Sequence, residues 1–394
     1  MLATEDRPEH PAGAHRAGNS TTALDPDFYR YERYLGARGR SPLLTAYYTL
    51  KPLLPRRLQL AMRRLYASRQ AARAFPAWPI ESILVDAWYE DLRAAIGARG
   101  GEPLPLVAPW PDGRRFACVL THDVEGPAGV ANIAPVLEAE RRHGFVSSWN
   151  FVAESYPIPP GTFEQIIEAG CEIGLHAIKH DGKLFQSRAR FELELPKVHS
   201  YLRQWGVEGF RSPATGRNAD WMRELGCSYD SSFPDTDPFE PQAGGCCSIW
   251  PFFFDDVVEL PITLVQDHTL FEILRNPSND PWERKSRWLM RHHGLINLIT
   301  HPDYLLSDEH LARYEAFLAF LRAQREQGWF ALPREVARWW RGRASIRCVV
   351  EDASVRLVGR HEERASVAWA CLEDDEVVIH LGAPGLHQPR GRQL

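Results

Sequence analysis

Six times along the chain a stretch compatible with a helix stops at a glycine, and an apolar or mixed extended run begins at once. The junctions are "RRHG-FVSSWNFV", "IIEAG-CEIGLH", "YLRQWG-VEGFRS", "MRELG-CSYDSS", "MRHHG-LINLITH" and "REQG-WFAL". Gly144, Gly170, Gly206, Gly226, Gly294 and Gly328 each stand where a left-handed helix cap is wanted, because glycine alone adopts positive φ without a Cβ clash. The stretches "IAPVLEAERR" and "EHLARYEAFLAFLRAQRE" show helical spacing of apolar positions, and Asn218 and Ser307 are candidate N-caps. With "FACVLTH" at 116–122 and "VVELPIT" at 257–263, about eight strands alternate with helices. Such alternation predicts an α/β fold with a parallel sheet, and units in this number predict a (β/α) barrel of about seven to eight strands.

Barrel enzymes keep their chemistry at the C-terminal ends of the strands. The residues at those ends are polar nearly every time: His122 and Asp123, Asn150, His176, Arg211, Asp230, Thr263 and His301. One polar residue after an apolar run only marks the start of a loop. Asp, His and Arg gathered at the same end of successive strands describe a pocket.

Two other regions flank the barrel. Residues 343–394 contain "SIRCVV", "SVRLVG", "SVAWACL" and "EVVIHL", short β-branched runs between charged turns that predict a small antiparallel module. Residues 33–80 contain no acid and ten Arg or Lys, and "YYTLKPLLPRRLQLAMRRLYASRQ" mixes paired arginines with leucines and tyrosines as an amphipathic surface helix does. The expected organisation is a disordered tail over 1–24, a basic helical extension over 25–108, the barrel over 109–342 and the β-rich module over 343–394.

Composition narrows the class. A chain of 394 residues, 44% hydrophobic and 25% charged, is long enough for one large domain with appendages. The net charge of -5 argues against general nucleic-acid affinity, and no apolar stretch is long enough to span a bilayer. The first residues, "MLATEDRPEHPAGAHRAGNS", lack the apolar core of a secretory signal. Seven cysteines without CxxC spacing suggest neither a zinc finger nor a disulfide scaffold, so adjacent Cys246 and Cys247 are read as free thiols. Together these lead us to expect a cytoplasmic protein. The basic segment adds the expectation of peripheral contact with an anionic membrane or a phosphate-bearing sugar carrier.

His176 and His180, in "CEIGLHAIKHDGKLF", stand four apart. At that spacing two imidazoles converge on one ion from a single helical face, or merely line one side of a turn. The wider pattern decides between these. "LTHDVEG" (120–126), "EIGLHAIKHDG" (172–182), "GFRSPATG" (209–216) and "LINLITHPDYL" (295–305) resemble, in order and spacing, the motifs of the metal-dependent polysaccharide deacetylases, the family of chitin-oligosaccharide and peptidoglycan deacetylases. The resemblance covers roughly residues 110–340 and implies a distorted form of the barrel.

The resemblance implies a role for each matching residue. Asp123 is the catalytic base, and Glu125, His176 and His180 hold one divalent ion, most simply Zn2+, with Co2+ or Ni2+ as alternatives. Glu125 stands where aspartate is usual, and its longer side chain leaves Asp123 as the alternative ligand. Arg211 orients the base, His301 is the acid that protonates the leaving nitrogen, and Asp230 supports His301. Asp181, Pro213, Trp221 and Tyr229 are expected to bind substrate. The implied reaction removes an acetyl group from an N-acetylated sugar or glycoconjugate. Hydrolysis of another C–N amide, and a non-catalytic glycan-binding or scaffold role on the same barrel, are the alternatives.

Overall fold

The computed structural model describes residues 24–36, 55–351, 354–360 and 362–382. The tail expected over 1–24, almost all of it, and residues 37–54 of the basic segment lie outside these. A short strand β1 (Leu104–Val107) precedes the central sheet. That sheet is built on β2 (Phe116–Val124), to which β3 (Ser148–Phe151), β4 (Glu172–Leu175), β5 (Gly209–Phe210) and β6 (Tyr229–Asp230) add in succession, all parallel. An antiparallel pair, β7 (Phe252–Phe254) and β8 (Val257–Glu259), extends it, with β8 parallel to β6. On its other side β2 pairs in parallel with β9 (Leu295–Thr300), and its first residues pair with β10 (Gly328–Phe330). The amides of Thr263 and Leu264, beyond β8, donate to Asn297 O of β9 at 3.2 and 3.1 Å. The curl therefore closes, and the expected parallel barrel is present.

Both faces of β2 are buried, which is why it reads as a continuous apolar run. Phe116, Cys118 and Leu120 pack against the helices Ile133–His143 and Asp308–Arg322, while Ala117 and Val119 face the interior with Tyr229 and Leu260. Along that inner face the next positions are Thr121 and Asp123, so one strand carries the change from apolar core to polar mouth.

Gly144, Gly170 and Gly206 cap helices at positive φ, as expected, while Gly226 takes positive φ four residues beyond the end of the helix Ala219–Met222; Asn218 and Ser307 accept N-cap hydrogen bonds from Asp220 N and His310 N. Gly294 and Gly328 do not. The left-handed position before β9 belongs to His293 (φ 54), and Gly328 is the first residue of β10. Their glycines answer to packing: a Cβ at Gly328 would stand 2.5 Å from Phe116 Cζ, and one at Gly294 would stand 3.0 Å from Ile249 Cδ1.

The C-terminal runs form antiparallel pairs, β11 (Arg347–Glu351) with β12 (Ser354–Val358) and β13 (Val367–Glu373) with β14 (Glu376–Leu381). β1 joins β13 antiparallel, an addition that the sequence pattern did not signal, and the helix Ile83–Ala98 covers this sheet through Leu92 and Ile96. Among the described residues no helix is long and apolar enough to cross a membrane. All seven cysteines are unbridged.

Candidate metal centre

Asp123 and Glu125 lie two apart along an extended backbone, so their side chains leave it on the same side. Adjacent acids would point to opposite faces. Asp123 is buried; Asn150 Nδ2 donates to its Oδ1 at 2.8 Å and Arg211 Nη1 to its Oδ2 at 3.4 Å. Arg211 is itself buried and also donates from Nη2 to Thr121 Oγ1 and Ser231 Oγ at 3.2 and 3.1 Å. Burial alone would raise the Asp123 pKa, but Arg211 first, then His176, His301 and the Asn150 amide, overcome it and hold the carboxyl below its usual range.

Glu125 follows β2 in a loop pinned by Asp303, whose two carboxyl oxygens accept from Glu125 N and Gly129 N, each at 3.0 Å. Its carboxylate meets His180 Nε2 at 2.9 Å and His301 Nε2 at 3.5 Å. Burial opposes that charge, yet His301 and the His180 hydrogen bond prevail and keep Glu125 well below the ordinary carboxylate range.

His176 is the first residue beyond β4. The pair His176 and His180 does not share a helical face, because residues 176–180 form a loop in which Ala177 takes positive φ (55). That turn brings the two rings to 5.2 Å between centroids. Positive φ at a residue with a Cβ is a conformation that folded chains keep mainly where surroundings demand it.

His176 Nδ1 lies 3.1 Å from Arg211 O, a contact that places a proton on Nδ1 and leaves Nε2 as a bare lone pair. Nε2 is buried and has no hydrogen-bond partner. Burial also lowers the His176 pKa to about 4, keeping the ring neutral as a ligand must be. Ligand atoms of Glu125, His176 and His180 all lie within 4.8 Å of one another, the only such group of three among the described residues. Asp123 is not part of it. Two imidazoles and a carboxylate at this spacing fit a divalent ion with positions left for water and substrate.

His301 follows β9 and is held by Asp267, whose Oδ1 lies 2.6 Å from Nδ1 and whose Oδ2 accepts the His301 backbone N–H at 2.8 Å. Burial opposes its protonation, but Asp267 and then Glu125 outweigh burial and push its pKa up to about 10. Asp230, expected in this supporting place, instead accepts from Ser232 N and Ser232 Oγ at 3.0 and 2.8 Å. The physical reason is strand alternation: Tyr229 of β6 points into the barrel, so Asp230 beside it points to the opposite face and reaches its own turn.

These groups open on a cavity of about 390 Å³ whose walls include Ser212, Ala214, Gln266, Ile299 and Tyr304. Gln59, Leu60 and Arg63 from the helix Arg56–Ala71 and Glu240 from a barrel loop complete it, none of them foreseen. Ser212, Ala214, Ile299 and Tyr304 did carry a sequence signal, since each lies within a matching motif.

The four residues expected to bind substrate do not line this cavity. Tyr229 is buried inside the barrel and donates to Glu172 Oε1 at 2.7 Å. Trp221 stacks on Phe185 outside it, 6.4 Å between centroids. Asp181 is exposed and faces Lys183 and Arg190 at 3.7 and 3.5 Å. Pro213 is buried in the turn, where Ser212, Ala214 and Thr215 present the surface instead.

No family model and no curated protein matches this chain. Among solved structures it is similar to polysaccharide deacetylases. One, assigned to that class from Mycobacterium smegmatis, is 20% identical over 61% of this chain and 95% of its own, with a TM-score of 0.46. The peptidoglycan deacetylase PdaC from Bacillus subtilis is 12% identical over 58% and 95%, with a TM-score of 0.37. An allantoinase, Puue, is 15% identical over 60% and 94%, with a TM-score of 0.47.

Proposed function

We propose that this protein is a metal-dependent hydrolase that removes the acetyl group from an N-acetylated sugar or glycoconjugate. The observation that carries the reading is the buried, partnerless Nε2 of His176 facing His180 and Glu125, with Asp123 on one side and His301 on the other. A divalent ion held by those three ligands would polarise the acetamide carbonyl and acidify the attacking water.

Asp123, kept ionised by Arg211 and oriented by Asn150, takes the proton from the water at its Oδ2. His301, with Nδ1 turned to Asp267, presents Nε2 to the cavity and delivers a proton to the departing nitrogen. An amide nitrogen leaves poorly as an anion, so this transfer is what allows the C–N bond to break. Arg211 meets the base through Nη1 and is itself held through Nη2 on Thr121 and Ser231, and so fixes the carboxylate without lining the cavity.

Metal analysis and acetate release from compounds containing N-acetylglucosamine test the reading. Glu125→Ala and His176→Ala are expected to lose metal and activity together. Asp123→Asn is expected to retain metal while kcat falls about 10²- to 10⁴-fold. If Asp123→Asn loses metal and Glu125→Ala keeps it, the two acids exchange roles. Metal-loaded protein that releases no acetate from any such compound removes the hydrolytic reading.

A further inference from the structure

The helix that walls the cavity exposes a row of large apolar residues. In Arg56–Ala71, positions 59, 60, 63, 64, 67 and 70 fall on one side at 100° per residue. That side is inward: Gln59, Leu60 and Arg63 line the cavity, and Ala67 is buried with Phe239 and Ile273. Polar contacts anchor it, with Arg64 Nε donating to Glu272 O and Gln70 Nε2 to Pro238 O at 2.8 and 2.7 Å. The opposite side carries Leu58, Met62, Leu65 and Tyr66, spaced i, i+4, i+7, i+8 and exposed by 46, 41, 81 and 44%. The usual surface helix shows solvent a polar stripe; this one carries an apolar row there in addition to the apolar residues Leu60, Ala67 and Ala71 that it packs inward.

We propose that this outward face docks on a lipid bilayer containing anionic lipid, so that the cavity opens at the membrane surface. Charge selects the occupant. Residues 33–80 hold ten basic residues and no acid; Arg33, Arg63 and Arg64 pair with Asp220, Glu240 and Glu272, whereas Arg69 and Arg73, at the end of the apolar row, are exposed. A second copy of the chain would set the exposed arginines of two like faces against each other, whereas an anionic bilayer receives both those arginines and the apolar row. Because the same helix forms the cavity wall, docking presents the cavity to glycans carried on lipid. That consequence rests on the proposed hydrolase activity; the docking itself does not.

The test uses the full-length protein with phosphatidylcholine vesicles, with and without phosphatidylglycerol, sedimented at low and physiological salt. The wild type is expected to sediment with the phosphatidylglycerol vesicles and to be released by salt. Met62→Glu with Leu65→Glu is expected to lower partitioning by about tenfold per residue, with circular dichroism and metal content unchanged. Arg69→Glu with Arg73→Glu is expected to weaken binding about fivefold per residue, and only to the anionic vesicles. Wild-type protein that sediments with neither vesicle overturns the proposal, as does binding that survives Met62→Glu with Leu65→Glu. A solution dimer that Leu65→Glu dissociates gives the face to a second copy and overturns it equally. Metal content and acetate release are read separately, so failure here leaves the hydrolase reading standing.

Discussion

Asp267 grips His301 through both carboxyl oxygens, one on the ring and one on the backbone. The consequence is electrostatic: the burial that would strip His301 of its proton is outweighed by Asp267 and Glu125, and the pKa of about 10 keeps the imidazolium through neutral pH. A group with a raised folded pKa holds its proton until pH climbs through that value, so the basic limb of kcat/KM is expected well above neutrality. Asp267→Asn removes the charge while keeping an acceptor. The basic limb should then move to lower pH, measured as a kcat/KM profile; a limb that does not move assigns the proton transfer to another group.

Loops, more than strands, decide whether the ligands meet. Glu125 N and Gly129 N share the carboxyl of Asp303, which ties the loop after β2 to the loop after β9. A Cβ at Gly129 would stand 2.1 Å from Asp303 Oδ2, so Gly129→Ala should push Asp303 off and free the Glu125 loop. Metal affinity is expected to fall about 10- to 100-fold, as when groups supporting a ligand are removed, read by calorimetric titration. Gly144→Ala is the contrast: it strains a left-handed cap (φ 75) remote from the site, and should cost about 1 kcal/mol of stability with metal affinity unchanged.

At the scale of the whole molecule, Glu172 joins parts distant in sequence. It starts β4, accepts from Tyr229 of β6 at 2.7 Å, and meets Arg334 Nε of the helix Pro333–Arg343 at 3.4 Å. Burial pushes its pKa up from 4.5 to about 7, with Tyr229 and Arg334 only partly restoring the charge. The folded chain thus binds this proton more tightly than the unfolded one. The stabilisation is complete below about pH 4.5 and is lost as pH rises through 7, a swing on the order of 3 kcal/mol. Glu172→Gln, which titrates no longer, should lose less Tm between pH 5 and pH 8 than the wild type does, as followed by thermal denaturation.

The sequence by itself determined the barrel and the six residues at its mouth. Apolar runs, helical spacing and three capping glycines are local signals, and Asp123, Glu125, His176, His180, Arg211 and His301 each stand within a motif near a strand end. A parallel barrel gathers all such ends at one rim, so their convergence followed from the topology. Tertiary structure alone decided the rest. The direction of Tyr229 and Asp230 on a strand of two residues depends on the register with β5 and β8. The roles of Gly294 and Gly328 depend on Ile249 and Phe116, which arrive from elsewhere in the chain. The helix Arg56–Ala71 has apolar residues around much of its circumference, so periodicity could not tell which side would be buried. Only the loop carrying Phe239 and the turn carrying Ile273, far along the chain, settled that side by packing against Ala67. These are long-range contacts, and a window of local sequence contains one partner of each pair and not the other.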